Sequence, residues 1–557
     1  MGKAPRDREV APRSQPSSLP HHSHYPHFLD VIHMASLQSL PNELLDSIIT
    51  DLSFRDVIRL AMTCKSLRAL ALPTAYHSII LEWKNATTQD NTAPEPPQPH
   101  KLLRTLIENP EYVKLVKSLE FRATHCLLYT DDGNLPVSIP SAELNIQEGE
   151  MALFGNTIDT LRLPEAEQWK SGMTENANST VFMTLIVGIC THLESLSVSV
   201  DFLLQSDWFE TPIDLSLCAT KSTSGVAWLS QLSCLRVTGD ADEDLWDEEF
   251  RDLQTTYLRL FYLPNLQMLE LAAFSDDGAE RSSWRRGQLP TPWPLDEHPL
   301  AEKLTTLRLV RSNVNWQTID SLLKQTPNLH TFDYDCFQHP WSVAYSLDKL
   351  AQALRHIRSM LTHLVVRYQI LQEDDESPPQ DNFGVVSGSL GPLKDFTALK
   401  SLTVSLHVLF GYEDSQEDRF PTLGEYLPPH VQYLTVTDDL YMYSDFQQYV
   451  EDWDAMKIFR TYLSGEKVAD DWFPDAGWNP RDNWDGGKKF SEAIWVTDRE
   501  PEWRVATPEL KEFVYDLRKE GHRSIGFWNV KGSREELKRV CEAQGIKCRV
   551  LWTEEVG

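Results

Sequence analysis

The chain has little positive charge for its length, no long hydrophobic run and no paired-cysteine motif. Across 557 residues, 52 Lys and Arg stand against 82 Asp and Glu, a formal net charge of −30. So acidic a surface repels phosphate backbones and anionic lipid heads, which argues against nucleic acid or a membrane surface as the main partner. The longest apolar run, near Val181–Cys190, is interrupted by Thr184 and Gly188 and falls short of the roughly 20 residues a helical membrane span requires. The eight cysteines run from Cys64 to Cys548 without a C-x-x-C pair, so reduced thiols are expected rather than a disulfide framework or a zinc site. The N-terminus mixes Lys3, Arg6 and Arg8 with Asp7 and Glu9 and has no apolar core after them, so no secretory signal is read there and a cytoplasmic or nuclear protein is expected.

Catalytic motifs are also missing. The stretch Ser387-Gly388-Ser389-Leu390-Gly391 lacks the first Gly of a nucleophile elbow, and there is no H-E-x-x-H. Asp482 stands where a P-loop ending at Gly487-Lys488-Lys489 needs its first Gly. Arg481 occupies the first ligand position of an EF-hand-like segment ending at Glu492, where its charge repels calcium. The expectation is a non-catalytic protein with no metal and no cofactor. A hydrolase using clustered carboxylates on a parallel β array is the rival from another class.

What is present is a globular composition, 41% hydrophobic and 24% charged, in a chain long enough for several domains or a repeat array. Residues 1–36 are rich in Pro, Ser, His and charge and are expected to form a disordered arm. Residues 37–73 change character: Leu44, Leu45, Ile48, Ile49 and Leu52 recur at helical spacing, with Pro41 fitting the first turn. Asp56 is read as the cap of a second helix carrying Val57, Leu60 and Ala61, and a third helix with Leu67, Leu70 and Leu72 is expected to stop at Pro73. Three such short helices bury little by themselves, so their apolar faces call for another surface. Residues 74–109 are read as a first strand and a linker, Pro-rich at 85–100.

From there to the C-terminus (110–557) the chain repeats. With Φ for an apolar residue, ΦxxΦxΦ appears at Val116/Leu119/Phe121, Ile158/Leu161/Leu163, Leu193/Leu196/Val198 and Leu232/Leu235/Val237. It returns at Leu266/Leu269/Leu271, Leu304/Leu307/Leu309, Leu329/Phe332/Tyr334 and Leu361/Leu364/Val366. Further copies are Leu399/Leu402/Val404, Val431/Leu434/Val436 and Leu510/Phe513/Tyr515, with a weaker first one at Tyr76/Ile79/Leu81. The last two Φ, two residues apart, share one face of a short strand. Segments of helical period lie between, such as Thr318–Lys324 and Leu347–Met360. One strand and one helix cannot bury their own apolar faces; stacked copies can. A Trp- and Asp-rich insertion is expected at about 440–507, and a helix near Arg534–Ala543 with a strand at Ile546–Trp552 reads as a C-terminal cap.

The repeat resembles the leucine-rich-repeat family, whose core reads L-x-x-L-x-L, over residues 110–517. It departs from it in spacing, with gaps of 25 to 42 residues between central Φ positions from Leu119 to Leu434 and about twice the mean from there to Phe513, most of them longer than the usual ~20–29, and in lacking the Asn that bonds neighbouring coils. The expected fold class is therefore α/β: a small three-helix module followed by an irregular leucine-rich-repeat-like solenoid of parallel short strands with outer helices.

The stretch Leu40-Pro41-Asn42-Glu43-Leu44-Leu45-Asp46-Ser47-Ile48-Ile49, with Leu52, Asp56, Val57, Leu60 and Thr63-Cys64-Lys65-Ser66-Leu67, resembles an F-box. Together with the irregular repeat and Pro-rich insertions it is similar to F-box proteins of filamentous fungi. The resemblance implies binding to the Skp-type adaptor of a cullin-based ubiquitin ligase. Leu40 and Pro41 are then expected to seat against the adaptor. Ile48, Leu52, Val57, Leu60, Cys64 and Leu67 would supply the apolar contact surface, with Glu43 and Lys65 at its rim. The repeat region is expected to hold a protein client for ubiquitin-dependent degradation. Candidate client contacts are Arg162, Arg236 and Arg308, on the strand face opposite the Φ residues, and Trp478 and Trp484 of the insertion. An F-box scaffold or regulator without a degraded client is the second reading.

Overall fold

The computed structural model describes residues 37, 40–84, 96–124, 146–161, 163, 165–175, 179–204, 212–213, 228–239, 253–276, 292–338, 345–370, 386–411, 421–440, 452–469, 494–517, 528 and 531–552. The chain divides into two compact units between Ala71 and Leu72. The expected N-terminal arm at 1–36, Arg162, Trp478 and Trp484 lie outside the described residues.

The first unit is helical. Helix α1 spans Asn42–Thr50, with Pro41 as its N-cap and the Pro41 carbonyl accepting from the backbone N–H of Leu44 and of Leu45, both at 3.1 Å. The proline, which has no N–H to give, thus stands one residue ahead of the helix. Leu45 and Ile49, four residues apart, are its buried side chains. Helix α2 spans Phe54–Ala61 and is capped by Ser53 rather than by Asp56. The Ser53 hydroxyl accepts from the Asp56 backbone N–H at 3.3 Å and donates to the Asp56 carboxylate at 2.7 Å, so Asp56 completes a reciprocal cap from within the first turn. Helix α3 runs Lys65–His77, through Pro73 rather than stopping there. Proline removes one helical hydrogen bond, but Ala71 and Ala75 on either side are buried, and that burial sustains the helix.

The second unit is built on a twelve-stranded sheet with every pairing parallel. Its first strands are β1 (Ser78–Lys84), β2 (Ser118–Thr124), β3 (Ser195–Ser199), β4 (Cys234–Thr238), β5 (Met268–Ala272), β6 (Thr306–Ser312) and β7 (Thr331–Gln338). After β8 (Tyr345–Ser346) come β9 (His363–Ile370), β10 (Val386–Ser387), β11 (Ser401–Ser405) and β12 (Tyr433–Thr437). Then follow β13 (Glu466–Val468), β14 (Trp495–Thr497), β15 (Glu512–Asp516) and β16 (Lys547–Leu551). Strands β8 and β10 pair with each other, as do β13 and β14; the rest form the large sheet, each beside the next in the chain.

The register explains the repeat. The middle Φ positions lie side by side, Leu119 against Leu196, Leu235, Leu269, Leu307 and on to Phe513, and the last Φ positions form a second row from Phe121 to Tyr515. Both rows are buried from β2 to β15, and helices between strands cover them: Ile319, Leu322 and Leu323 of Trp316–Lys324, and Leu350, Ala353 and Leu354 of Leu347–Leu354, are all interior. In place of an Asn ladder, from β2 to β12 the residue before each strand of the large sheet offers its carbonyl to two successive amides of the next strand's entry. Lys117 O accepts from Glu194 N (2.9 Å) and Ser195 N (3.0 Å), and Thr305 O accepts from His330 N (2.8 Å) and Thr331 N (3.0 Å).

Two further local expectations are corrected. Ile158/Leu161/Leu163 is not a strand: helix Glu148–Leu161 occupies this stretch, and β2 pairs directly with β3. The i, i+3 interval that opens the motif is also a helical spacing, and Phe154 and Ile158 are buried on one helix face. The Pro-rich 85–100 stretch ends in helix Pro99–Glu108, with Pro99 and His100 buried, rather than in exposed loop. Its Pro sits at the first helical position, where no N–H is needed. The apolar run near residue 181 is the core helix Ser179–Ile189; among the described residues no helix is long and apolar enough to cross a membrane.

Candidate functional site

The three-helix unit leaves four large apolar side chains exposed, Leu44, Ile48, Phe54 and Met62. On α1, Leu44 and Ile48 are four residues apart and exposed, beside the buried pair Leu45 and Ile49. On α2, Phe54 is 65% exposed and Met62, its C-cap, 82%, with half-buried Ile58 between them at the same four-residue interval. On α1 one apolar pair thus faces inward and a second faces water, and α2 buries Val57 while leaving Phe54 and Met62 in water. Covering a Leu, Phe or Met side chain that now faces water is worth about 1.5–3 kcal/mol, so these stripes favour a covering partner.

The side chains named from the sequence fall into three groups. Pro41, Glu43, Ile48 and Lys65 are exposed. Leu40, Leu52, Leu60 and Cys64 are half-buried, with the Cys64 thiol 3.2 Å from the Ser66 hydroxyl. Val57 and Leu67 are buried, so their side chains belong to the interior. Leu44, Phe54, Ile58 and Met62 were not among the named contacts. The signal for them was the second four-residue series, Leu44/Ile48 and Phe54/Ile58/Met62, running beside the first.

On the sheet, the residues between the two Φ rows form a polar ladder. Arg236, Glu270, Arg308 and Asp333 are register neighbours on β4 to β7. Arg308 bridges both carboxylates, with Nη1 2.8 Å from Glu270 Oε2 and Nε 3.0 Å from Asp333 Oδ2. Burial works against the Arg308 charge, but Asp333 and Glu270 outweigh it and hold its pKa above the ordinary value. Burial pushes the Asp333 carboxyl up, with Arg308 pulling back. Arg308 is therefore already neutralised within the sheet, whereas Arg236 is exposed and contacts only the Met268 sulfur, at 3.8 Å, among its described hydrogen-bonding partners. Among the described residues no group of three or more His, Cys, Asp or Glu is placed to hold a metal ion.

A comparison with the curated proteins finds no match. The F-box-like family model matches residues 37–82, which take in α1, α2, α3 and most of β1. The chain carries an F-box-like domain, and the exposed apolar stripes belong to it.

Proposed function

We propose that the chain is the substrate-recognition subunit of a Skp–cullin–F-box ubiquitin ligase. The F-box-like domain binds the Skp-type adaptor and through it the cullin, and the sheet unit holds a protein client. The observation that carries this reading is the exposure of Leu44, Ile48, Phe54 and Met62 within a matched F-box-like domain. Helices that present apolar residues at i and i+4 are suited to docking against a partner's groove or helices. In this reading Leu40, Pro41, Leu52, Leu60 and Cys64 border the docked surface, Glu43 and Lys65 lie at its rim, and Val57 and Leu67 fix the helices that present it.

The sheet unit is read as an irregular leucine-rich-repeat-like solenoid. Strands that pair in chain order, all parallel, with one Φ ladder shared by successive copies support that reading. Its polar strand face and the insertion near 440–507 are the proposed client surface, and on that face Arg236 has no carboxylate partner among the described residues, unlike Arg308. The chemical contribution is proximity: a client held on the sheet stays at high effective concentration beside the ubiquitin carrier.

Affinity purification of the wild type beside a Leu40→Ala/Pro41→Ala variant tests this. The variant is expected to lose adaptor and cullin and to keep its client. Equal recovery of adaptor from both baits contradicts the proposal, and accumulation of a co-purified client after deletion of the gene separates a degradation receptor from a scaffold.

A further inference from the structure

The C-terminal ends of β9, β11, β12 and β15 carry a buried polar cluster that adaptor docking does not use. Arg367, on β9 just beyond its pairing with β11, reaches to Asp439, two residues beyond β12: Arg367 Nη2 lies 3.0 Å from Asp439 Oδ1, and the Tyr368 backbone N–H donates to Asp439 Oδ2 at 3.1 Å. This is a clamp between strands that do not touch, since β11 stands between them. Asp439 is fully buried, and so is Ser405 at the end of β11.

Asp438 lies beside this clamp and is 2% exposed. Neither of its carboxylate oxygens, nor the hydroxyl of neighbouring Thr437, accepts a hydrogen bond from another described residue. The charged groups facing Asp438 are Asp439 on its own segment, Arg367 from β9 and Asp516 at the end of β15. Asp335 of β7 acts on Arg367 from the other side. From β11 the group at this level is the uncharged Ser405; His407, in the helix Leu406–Phe410 that follows, is a further buried titratable side chain. One guanidinium thus acts on several carboxylates and is hydrogen-bonded to Asp439, while Asp438 accepts no hydrogen bond from it.

An ionised carboxylate held out of water with no donor beyond its own backbone N–H is far less stable than the neutral acid. Burial first, and then the Asp439 charge, push the Asp438 carboxyl up to about 7. We propose that Asp438 is a proton-operated latch: protonated, it leaves Arg367 to Asp439 and the β9–β12 clamp stays closed; ionised, it competes for Arg367 and loosens this end of the sheet. The proton goes to and comes from solvent, and no other bond is made or broken.

The sign follows from linkage. The group's unfolded value lies near 3.9 and the folded one is raised, so its stabilising contribution is complete below the unfolded value and is lost as pH rises towards 7. Above that the loss levels off.

Thermal unfolding of the full chain and of Asp438→Asn, a neutral isostere of the protonated acid, across pH 5 to 8.5 reads this directly. The Tm advantage of the variant is expected to grow between pH 5 and 7, as the wild-type folding constant falls by about tenfold per unit from this one group, and to plateau above about pH 8. Parallel Tm profiles for the two proteins overturn the latch. A second readout needs no variant. Amide exchange of the wild type at pH 6 and 8, corrected for intrinsic rates, is expected to lose protection about tenfold at the ends of β9, β11, β12 and β15 while β3–β5 stay unchanged. Equal protection at both pH values, or a uniform change along the sheet, also overturns it.

Discussion

The helical unit and the sheet unit handle apolar side chains in opposite ways. In the sheet, the middle Φ positions from Leu119 to Phe513 are all buried, although the strands are only five to eight residues long. In the helical unit, Leu44 is 53% exposed on a helix whose Leu45 is 3% exposed, one residue away. In the parallel array each strand from β2 to β15 has two neighbours, and its apolar face is sealed within the chain. Three short helices have too little interior for all their apolar residues. The excess is where a partner gains free energy by docking.

The largest test of that contrast pairs a sealed with an open position. Phe332→Ala in β7 is expected to lower unfolding stability by about 3–5 kcal/mol, read by urea denaturation. Phe54→Ala is expected to change it by no more than about 0.5 kcal/mol. Similar costs at both sites would break the comparison. Next in size, Arg308→Ala strips Glu270 and Asp333 of their shared donor and is expected to cost about 1–3 kcal/mol, while Arg236→Ala, exposed and without a carboxylate, changes stability by under about 0.5 kcal/mol. Smaller again, Ser53→Ala removes the α2 cap and is expected to cost about 1 kcal/mol, seen as faster amide exchange at the first turn of α2 with the sheet strands unchanged.

Much of the sheet was legible in the sequence, and the reason is its period. Two apolar residues with one between them fix both the face and the register of a strand, so Leu235/Val237 or Leu402/Val404 name their strand without further information. The same motif misleads where its opening interval suits a helix, as at Ile158/Leu161/Leu163. On the helices the sequence marked which residues are apolar but not which stripe faces inward. Val57 and Phe54 are three residues apart on α2, yet one is buried and the other exposed, because the choice depends on where the neighbouring helices lie. Asp438 and Asp439 were not legible at all: the chain has 82 acidic residues, and only the fold puts these two out of water beside Arg367.

The central claim is that the exposed stripes of α1 and α2 are covered by a Skp-type adaptor. Amide exchange of the full chain with and without a purified Skp-type adaptor, run beside a binding titration of Phe54→Asp/Met62→Asp, tests it most directly. New protection is expected at residues 40–67 alone, with strands from β3 to β15 unchanged and binding by the double variant at least a hundredfold weaker, about 3 kcal/mol. No protection at 40–67 with saturating adaptor, or undiminished binding by a folded double variant, would contradict it.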